Sequence, residues 1–215
     1  MQHLFLTSAI GIPGIAASIL AKLDNKKFRK TVYITTAIEC EPEEIGQEWD
    51  DSDHEAVSSL SSEIFNYSLT GKSEAVIRAD LKDIDCLFIA GGNTFYLLQE
   101  SQKSNFSNIV HDLVTSGIIY IGSSAGSIIA GPDLSPILGV DDVAVAPSIG
   151  GYVGYNLVDF TTLVHWGSKE FKKEYLDNSF AHIYSSKAPL IALNNYEYVE
   201  VIDDNYRVID TRHEK

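Results

Sequence analysis

Hydrophobic positions along the chain fall into two recurring patterns. Short runs rich in β-branched and aromatic residues, such as 3–8 (HLFLTS), 31–36 (TVYITT) and 85–90 (DCLFIA), are typical of strands buried on both faces. Between such runs lie longer stretches with apolar side chains at helical spacing, including 105–116 before Gly117. This alternation predicts an α/β fold with a mostly parallel sheet flanked by helices on both faces.

The remaining segments extend the same prediction. An acid-rich stretch carries Ala56, Val57, Leu60 and Ile64 at helical spacing, and strands are expected at 64–69, 118–122, 160–165 and 189–193. Shorter helices are expected at 73–82 and 169–178, and the Gly-rich segment 136–157 is expected to form loops. Hydrophobic and polar residues alternate on both sides of residues 203–205, which predicts a C-terminal β-hairpin. We expect one domain over residues 1–215.

Composition and charge narrow the class of protein. The chain is 45% hydrophobic and 21% charged, as in soluble globular proteins, and its net charge of −14 argues against nucleic acid or an anionic membrane as partner. Two cysteines, Cys40 and Cys86, suggest reduced thiols and a cytoplasmic location. The N-terminal residues lack a signal-peptide pattern, and no apolar run is long enough to span a membrane. We expect a monomer or homodimer.

The strongest candidate for chemistry is the segment 122–126 (GSSAG), which fits G-x-S-x-G between a buried strand and a helix. In a nucleophile elbow the central residue, here Ser124, sits on a strained turn, and the backbone N–H of Ala125 can bind a developing oxyanion. The alternative is a small-residue turn or a phosphate-binding loop.

A second candidate, Gly91-Gly92-Asn93-Thr94, also ends a predicted central strand and should reach the same edge of the sheet, where α/β proteins bind ligands. Gly92 could donate a second N–H group to the oxyanion. Asn93 or Thr94 could equally serve only as a helix cap.

A serine nucleophile needs a base and a residue that orients it. Because His165 follows the serine turn in the chain, it is the first choice of base, and His182 is the second. Asp133, Asp141 and Asp142 lie between Ser124 and His165, and each could be the orienting acid or simply a turn former.

The segments CLFIAGGNTFYLLQ and YIGSSAGSIIAG together resemble the peptidase E family of serine peptidases, which includes aspartyl dipeptidase and, more distantly, cyanophycinase. The resemblance implies a fold like that of the class I glutamine amidotransferases. It also implies Ser124 as nucleophile, His165 as base, Gly91 and Gly92 at the oxyanion hole, and Asp142 as acid with Asp141 as the alternative. It implies no cofactor and no metal.

These residues together predict a serine-type dipeptidase or exopeptidase that acts on small peptides. The alternatives are an α/β-hydrolase-type esterase and a non-catalytic ligand-binding protein on the same fold. Aspartyl dipeptidases of the family hold the substrate carboxylate with an Arg after the base, whereas this chain has Lys169, Lys172 and Lys173 there. Lys169 could replace that Arg as a point charge, or the lysines could form a solvated helix face, so we expect relaxed or altered specificity.

Overall fold

The protein is seen here as a computed structural model that describes residues 1–41 and 43–213, with side chains throughout except at 43–48. Its centre is a seven-stranded sheet in the order β3-β2-β4-β5-β1-β8-β9. The first five strands in that order are parallel to one another. β8 pairs antiparallel with β1, and β9 pairs antiparallel with β8. The strands are β1 His3–Thr7, β2 Phe28–Ile34, β3 Ser61–Tyr67, β4 Cys86–Ile89, β5 Ile119–Ser123, β8 Glu197–Ile202 and β9 Asn205–Asp210.

Helices cover both faces of this sheet, as the alternation of strands and helices predicts. They are α1 Ile15–Lys22, α2 Glu43–Leu60, α3 Glu74–Asp80, α4 Thr94–Ser104, α5 Phe106–Thr115, α6 Ala125–Ile128 and α7 Phe180–Ser185. None of the helices in the described part of the chain has the length and apolarity needed to cross a bilayer.

Two hydrophobic cores lie on opposite faces of the sheet because successive strand residues point to opposite sides. On β4, Leu87 and Ile89 pack in the core beneath α3, α4 and α5, whereas Cys86 and Phe88 pack with α1 and α2. The fully buried central strands explain why their sequences read as continuous apolar runs.

A smaller parallel sheet carries one side of the functional site. It pairs β6 Thr161–Leu163 with β7 Leu190–Ala192. The predicted hairpin is present as β8 and β9, whose residues Ile202 and Asn205 are paired beside the turn. Segment 136–157 consists mainly of turns and irregular structure, with short 3₁₀ pieces at Ser135–Ile137 and Val143–Val145, in agreement with the loop prediction.

The helix predicted at 169–178 is displaced along the chain. Residues 164–167 form a turn in which His165 and Gly167 both have positive φ. Helical structure begins only at residue 172, passes through a π-helical turn at Glu174–Ser179 and continues as α7. Charge patterning predicted a regular helix but could not show that the chain first bends after β6.

Candidate active site

Ser124 occupies the sharp turn between β5 and α6, at the carboxyl edge of the parallel strands. Its backbone has φ 50° and ψ −112°, a strained combination for a residue with a side chain. The Ser124 N–H donates to the Thr7 carbonyl on β1 at 3.1 Å, and the next turn closes back onto the Ser124 carbonyl through Ser127 N–H at 2.8 Å. These bonds hold the strained turn against the neighbouring strand.

The last glycine of the G-x-S-x-G segment is required by close approach. A Cβ on Gly126 would overlap the carbonyl oxygen of Ile89, the last residue of β4. The Tyr120 hydroxyl donates to the Gly126 carbonyl at 2.5 Å, which fixes the turn from below. The glycine therefore lets the serine turn pack directly on the end of β4.

His165 lies beside Ser124. Its Nε2 atom is 2.9 Å from the Ser124 Oγ atom, within hydrogen-bond distance. The imidazole stacks on the Phe171 ring, with centroids 4.6 Å apart and planes inclined by 14°. Stacking fixes the ring plane, so that its edge faces the serine hydroxyl.

The other ring nitrogen of His165 contacts Asn195. The distance from Nδ1 to the Asn195 Oδ1 atom is 2.7 Å. Asn195 lies between β7 and β8, and β8 pairs antiparallel with β1, so that its amino end reaches the edge of the sheet where β1 and β5 end. Ser124, His165 and Asn195 thus form a continuous hydrogen-bonded row.

Ser8 determines which way the Asn195 amide points. The His165 backbone N–H donates to the Ser8 Oγ atom at 2.7 Å, and the Ser8 hydroxyl donates to Asn195 Oδ1 at 3.2 Å. Because Oδ1 accepts from Ser8, it also faces His165 Nδ1 and accepts the ring proton there. This tautomer leaves the Nε2 lone pair directed at Ser124, as a general base requires.

The surroundings of His165 favour its neutral form. Burial is the largest influence and lowers the pKa of the imidazole, whereas the hydrogen bond to Asn195 and the charge of Glu170 act in the opposite direction. The base form therefore persists to a lower pH than it would in an exposed histidine.

The structure corrects the expected position of the orienting acid. The Asp142 carboxylate accepts from the Ala144 N–H at 2.9 Å and caps a 3₁₀ turn, while His165 Nδ1 is occupied by Asn195. Asp141 is half-buried and its carboxylate accepts from the Thr94 N–H at 2.8 Å. Asp133 bonds the backbone and hydroxyl of Ser135. All three aspartates act as turn or cap residues, because the segment 133–145 folds against the start of α4.

The Gly-Gly-Asn turn lies directly beside Ser124. A Cβ on Gly91 would be 3.3 Å from the Ser124 Cβ atom, and Gly92 has φ +119° with no room for a side chain next to the Ala37 carbonyl. The Asn93 Oδ1 atom caps α4 through the Phe95 and Tyr96 N–H groups, and its Nδ2 donates to the Asp142 carbonyl at 3.0 Å. Ala125 begins α6 immediately after Ser124.

Lys169 and His182 lie elsewhere. Lys169 is exposed and lines an adjoining depression with Trp166 and Leu176, whereas its neighbour Glu170 lines the cavity around Ser124. His182 is an exposed residue of α7. The charged residue of this segment that lines the cavity is therefore an acid, and Lys169 does not line it.

The hydrogen-bonded row of Ser124, His165 and Asn195 lines a cavity of about 690 Å³, which can hold a small organic molecule. The carboxyl ends of β1, β4 and β5 form the floor of the cavity, and Trp49 and Asp53 of α2 form part of its wall. The opposite wall includes Glu170 and Phe171. A serine with a hydrogen-bonded base at the base of such a cavity can attack a bound carbonyl.

Asn195 is the functional candidate that sequence reasoning missed. It stands in Asn194-Asn195 before β8, where asparagines are ordinary turn residues. Only the topology of the sheet could have indicated it. Because β8 runs antiparallel to β1, the residues just before β8 lie at the edge of the sheet where the parallel strands end.

Comparisons with known proteins agree with this geometry. The model of Peptidase family S51 matches residues 12–209. An uncharacterized peptidase of Listeria monocytogenes is 28% identical over 200 residues, which cover 93% of this chain and 94% of that protein. Peptidase E of a Shewanella species is 41% identical over 54 residues, 25% of this chain and 23% of that protein.

Solved structures extend the similarity to three dimensions. The crystal structure of a candidate peptidase E from Listeria monocytogenes has a TM-score of 0.86 and 25% identity, covering 98% of both chains. A peptidase from an acI-B1 actinobacterium shares the fold with a TM-score of 0.70 and 16% identity, covering 98% of this chain and 88% of that one. The resemblance to peptidase E is thereby confirmed, and because the family model spans nearly the whole sequence, the chain belongs to Peptidase family S51 and is a serine-type peptidase.

Proposed function

We propose that the protein is a dipeptidase or exopeptidase that hydrolyses small peptides, with Ser124 as nucleophile, His165 as general base and Asn195 as the residue that orients His165. The observation that carries the proposal is the row of contacts at 2.9 Å and 2.7 Å at the edge of a cavity. A cavity of about 690 Å³ suits a short peptide better than a folded protein substrate.

The reaction follows the serine peptidase scheme. His165 Nε2 takes the Ser124 hydroxyl proton as Oγ attacks the peptide carbonyl, and the carbonyl oxygen becomes an oxyanion. Collapse of the tetrahedral intermediate breaks the C–N bond, and His165 delivers its proton to the leaving amine. Water then hydrolyses the acyl-enzyme by the same steps, with His165 again taking and returning a proton.

Asn195 supplies orientation without charge. Its Oδ1 atom accepts the Nδ1 proton and holds the productive tautomer, but it cannot stabilise the imidazolium as a carboxylate would. Backbone N–H groups of Gly92 and Ala125 are the proposed oxyanion donors, since Ala125 directly follows Ser124 and Gly92 follows Gly91, on which a Cβ would be 3.3 Å from the Ser124 Cβ atom.

We place the enzyme in the cytoplasm. Both cysteines are free, with Cys86 fully buried and Cys40 partly buried. Burial raises the pKa of the Cys40 thiol to about 11, which keeps it protonated and unreactive. Two free thiols in one chain suit a reducing compartment.

The test combines active-site labelling with a peptide screen. A fluorophosphonate probe should modify the purified protein at Ser124, as located by peptide mass spectrometry, and Ser124→Ala should abolish labelling. A panel of dipeptides and simple esters should then show peptide hydrolysis that is lost in the same variant. Labelling at another residue, or hydrolysis of esters alone, would contradict the proposal.

A further inference from the structure

The catalytic cavity is strongly acidic. Five carboxylates line it, those of Glu41, Asp53, Asp141, Asp142 and Glu170, whereas no Lys or Arg does so among the described residues. A water-poor cleft with one sign of charge attracts ligands of the opposite sign and repels those of the same sign. The distribution of charge therefore bears on which peptide enters.

Asp53 is a fixed charge close to the nucleophile. It accepts a hydrogen bond from the Gly11 N–H at 2.9 Å and another from Ser123, the residue before Ser124. Burial raises the pKa of the Asp53 carboxyl to about 6, so that the group is mainly ionised near pH 7.5. Its two hydrogen bonds hold the carboxylate in place without neutralising it.

Trp49 accompanies Asp53 on the same face of α2, four residues earlier, and both line the cavity. A Cβ on Gly91 would be 3.3 Å from both the Trp49 ring and the Ser124 Cβ atom, so Gly91 lies between them. An indole next to a carboxylate is a combination that binds organic cations through charge and cation–π attraction.

Glu41 adds acid on the same side. Burial is the main cause that raises the pKa of its carboxyl, and the charges of Asp141 and Asp142 raise it further. These carboxylates repel one another in the described structure. A bound cation would relieve that repulsion.

Sheet order shows which part of a substrate would meet these groups. His165 and Asn195 approach Ser124 from the side of β1 and β8, whereas Gly91 and Glu41 follow β4 and β2 on the other side. The leaving amine must lie near His165, which protonates it. The acyl residue, which is the N-terminal residue of a dipeptide, then falls on the side of Trp49 and Glu41.

We propose that the enzyme prefers peptides with a cationic residue, Lys or Arg, on the acyl side of the scissile bond, and that Glu41 with Trp49 receives its positive charge. Asp53, which is held by Gly11 after β1, adds to the negative potential of the cavity. The inference rests on the proposed peptidase function. It also means that an N-terminal Asp is disfavoured, since Glu170 is among the five carboxylates that line the cavity and Lys169 lies outside it.

The experiment compares four dipeptides, X-Leu with X = Lys, norleucine, Asn or Asp, on the full chain at pH 7.5. Norleucine matches the unbranched chain of Lys without its charge, and Asn matches Asp. We expect kcat/KM for Lys-Leu to exceed that for norleucine-Leu by about tenfold or more, and Asp-Leu to fall about tenfold below Asn-Leu. Added salt should shrink both ratios.

Variants assign the effect to residues. Glu41→Gln removes the charge on the acyl side and should lower the Lys/norleucine ratio by about fivefold or more. Asp53→Asn keeps an acceptor for the Gly11 N–H but removes a more distant charge, and should lower the same ratio by a smaller factor. Lys169→Gln, which changes a charge outside the cavity, should leave the ratio unchanged.

Equal rates for Lys-Leu and norleucine-Leu, or a preference for Asp-Leu over Asn-Leu, would overturn the inference. If neutral dipeptides are hydrolysed and Ser124 is labelled in that case, the peptidase proposal survives alone. Absence of hydrolysis of all four dipeptides, together with absence of labelling at Ser124, would overturn both.

Discussion

The two halves of the Ser124–His165–Asn195 row are built in different ways. Ser124 stands in a turn whose strand, glycines and helix are contiguous in sequence, packed against the end of β4. His165 and Asn195 come from the ends of short elements 30 residues apart and meet only through packing on β1 and on each other. A local motif specifies the proposed nucleophile, whereas tertiary structure specifies the proposed base and its partner.

The largest expected effect concerns the contact that joins the two halves. Ser124→Ala should lower kcat/KM by roughly 10³-fold or more, and His165→Ala by nearly as much. The double variant should be hardly worse than either, because the two groups act as a unit. Steady-state kinetics on one good dipeptide measures kcat/KM for all three variants. If the loss in the double variant equals the product of the two single losses, the two residues act independently.

Ser123→Ala is the matched control for the serine. The Ser123 hydroxyl accepts from the Ile10 N–H at 3.2 Å and bonds Asp53, so its loss should cost about 1 kcal/mol of stability. Activity on a neutral dipeptide should fall far less than in Ser124→Ala. A greater loss in Ser123→Ala would mean that the nucleophile has been misassigned.

The next effect concerns the half specified by tertiary structure. Asn195→Ala removes the acceptor for His165 Nδ1, so the ring loses its preferred tautomer and orientation. We expect kcat to fall by about 10–100-fold with little change in KM, as for a group that acts through the base. A rise in KM at constant kcat would assign Asn195 to substrate binding instead.

A smaller effect concerns charge in the same half. The neutral form of His165 is the active base, and burial lowers the pKa of its imidazole, so kcat/KM should reach half its plateau below about pH 6.5. Asn195→Asp places a carboxylate beside Nδ1, favours the imidazolium and should move that midpoint upward by about one pH unit or more. An unchanged midpoint would show that residue 195 does not contact the base during catalysis.

The smallest effect concerns Ser8, which acts on Asn195. Ser8→Ala removes the hydroxyl that donates to Oδ1 and accepts from the His165 N–H, so the amide can turn over and present Nδ2 to the ring. We expect a several-fold loss of kcat, with a much smaller additional loss when Ser8→Ala is added to Asn195→Ala. Equal losses in both backgrounds would indicate that Ser8 acts separately.

The same contrast explains how far the sequence could lead. Strand runs, the turn at 122–126 and the Gly-Gly turn at 91–92 are local patterns, and the structure places them together because parallel strands share a carboxyl edge. His165 could be ranked first by its position in the chain after the serine turn. The bend after β6 and the later start of the helical segment depend on packing that charge patterning does not encode.

Asn195 could not be reached in this way. Three aspartates between Ser124 and His165 were better candidates by residue type, because a carboxylate is the usual partner of a catalytic histidine. The structure uses those aspartates to cap turns, and it brings in an amide from beyond His165 through the antiparallel pairing of β8 with β1.

The central claim, that Asn195 and not Asp142 orients the base of Ser124, can be tested without knowing the substrate. The measurement is the second-order rate constant of fluorophosphonate labelling at Ser124 in the wild type, Asn195→Ala and Asp142→Ala. The account predicts a loss of about tenfold or more in Asn195→Ala and a change of less than about threefold in Asp142→Ala. The opposite order, with Asp142→Ala slow and Asn195→Ala near the wild type, would contradict it.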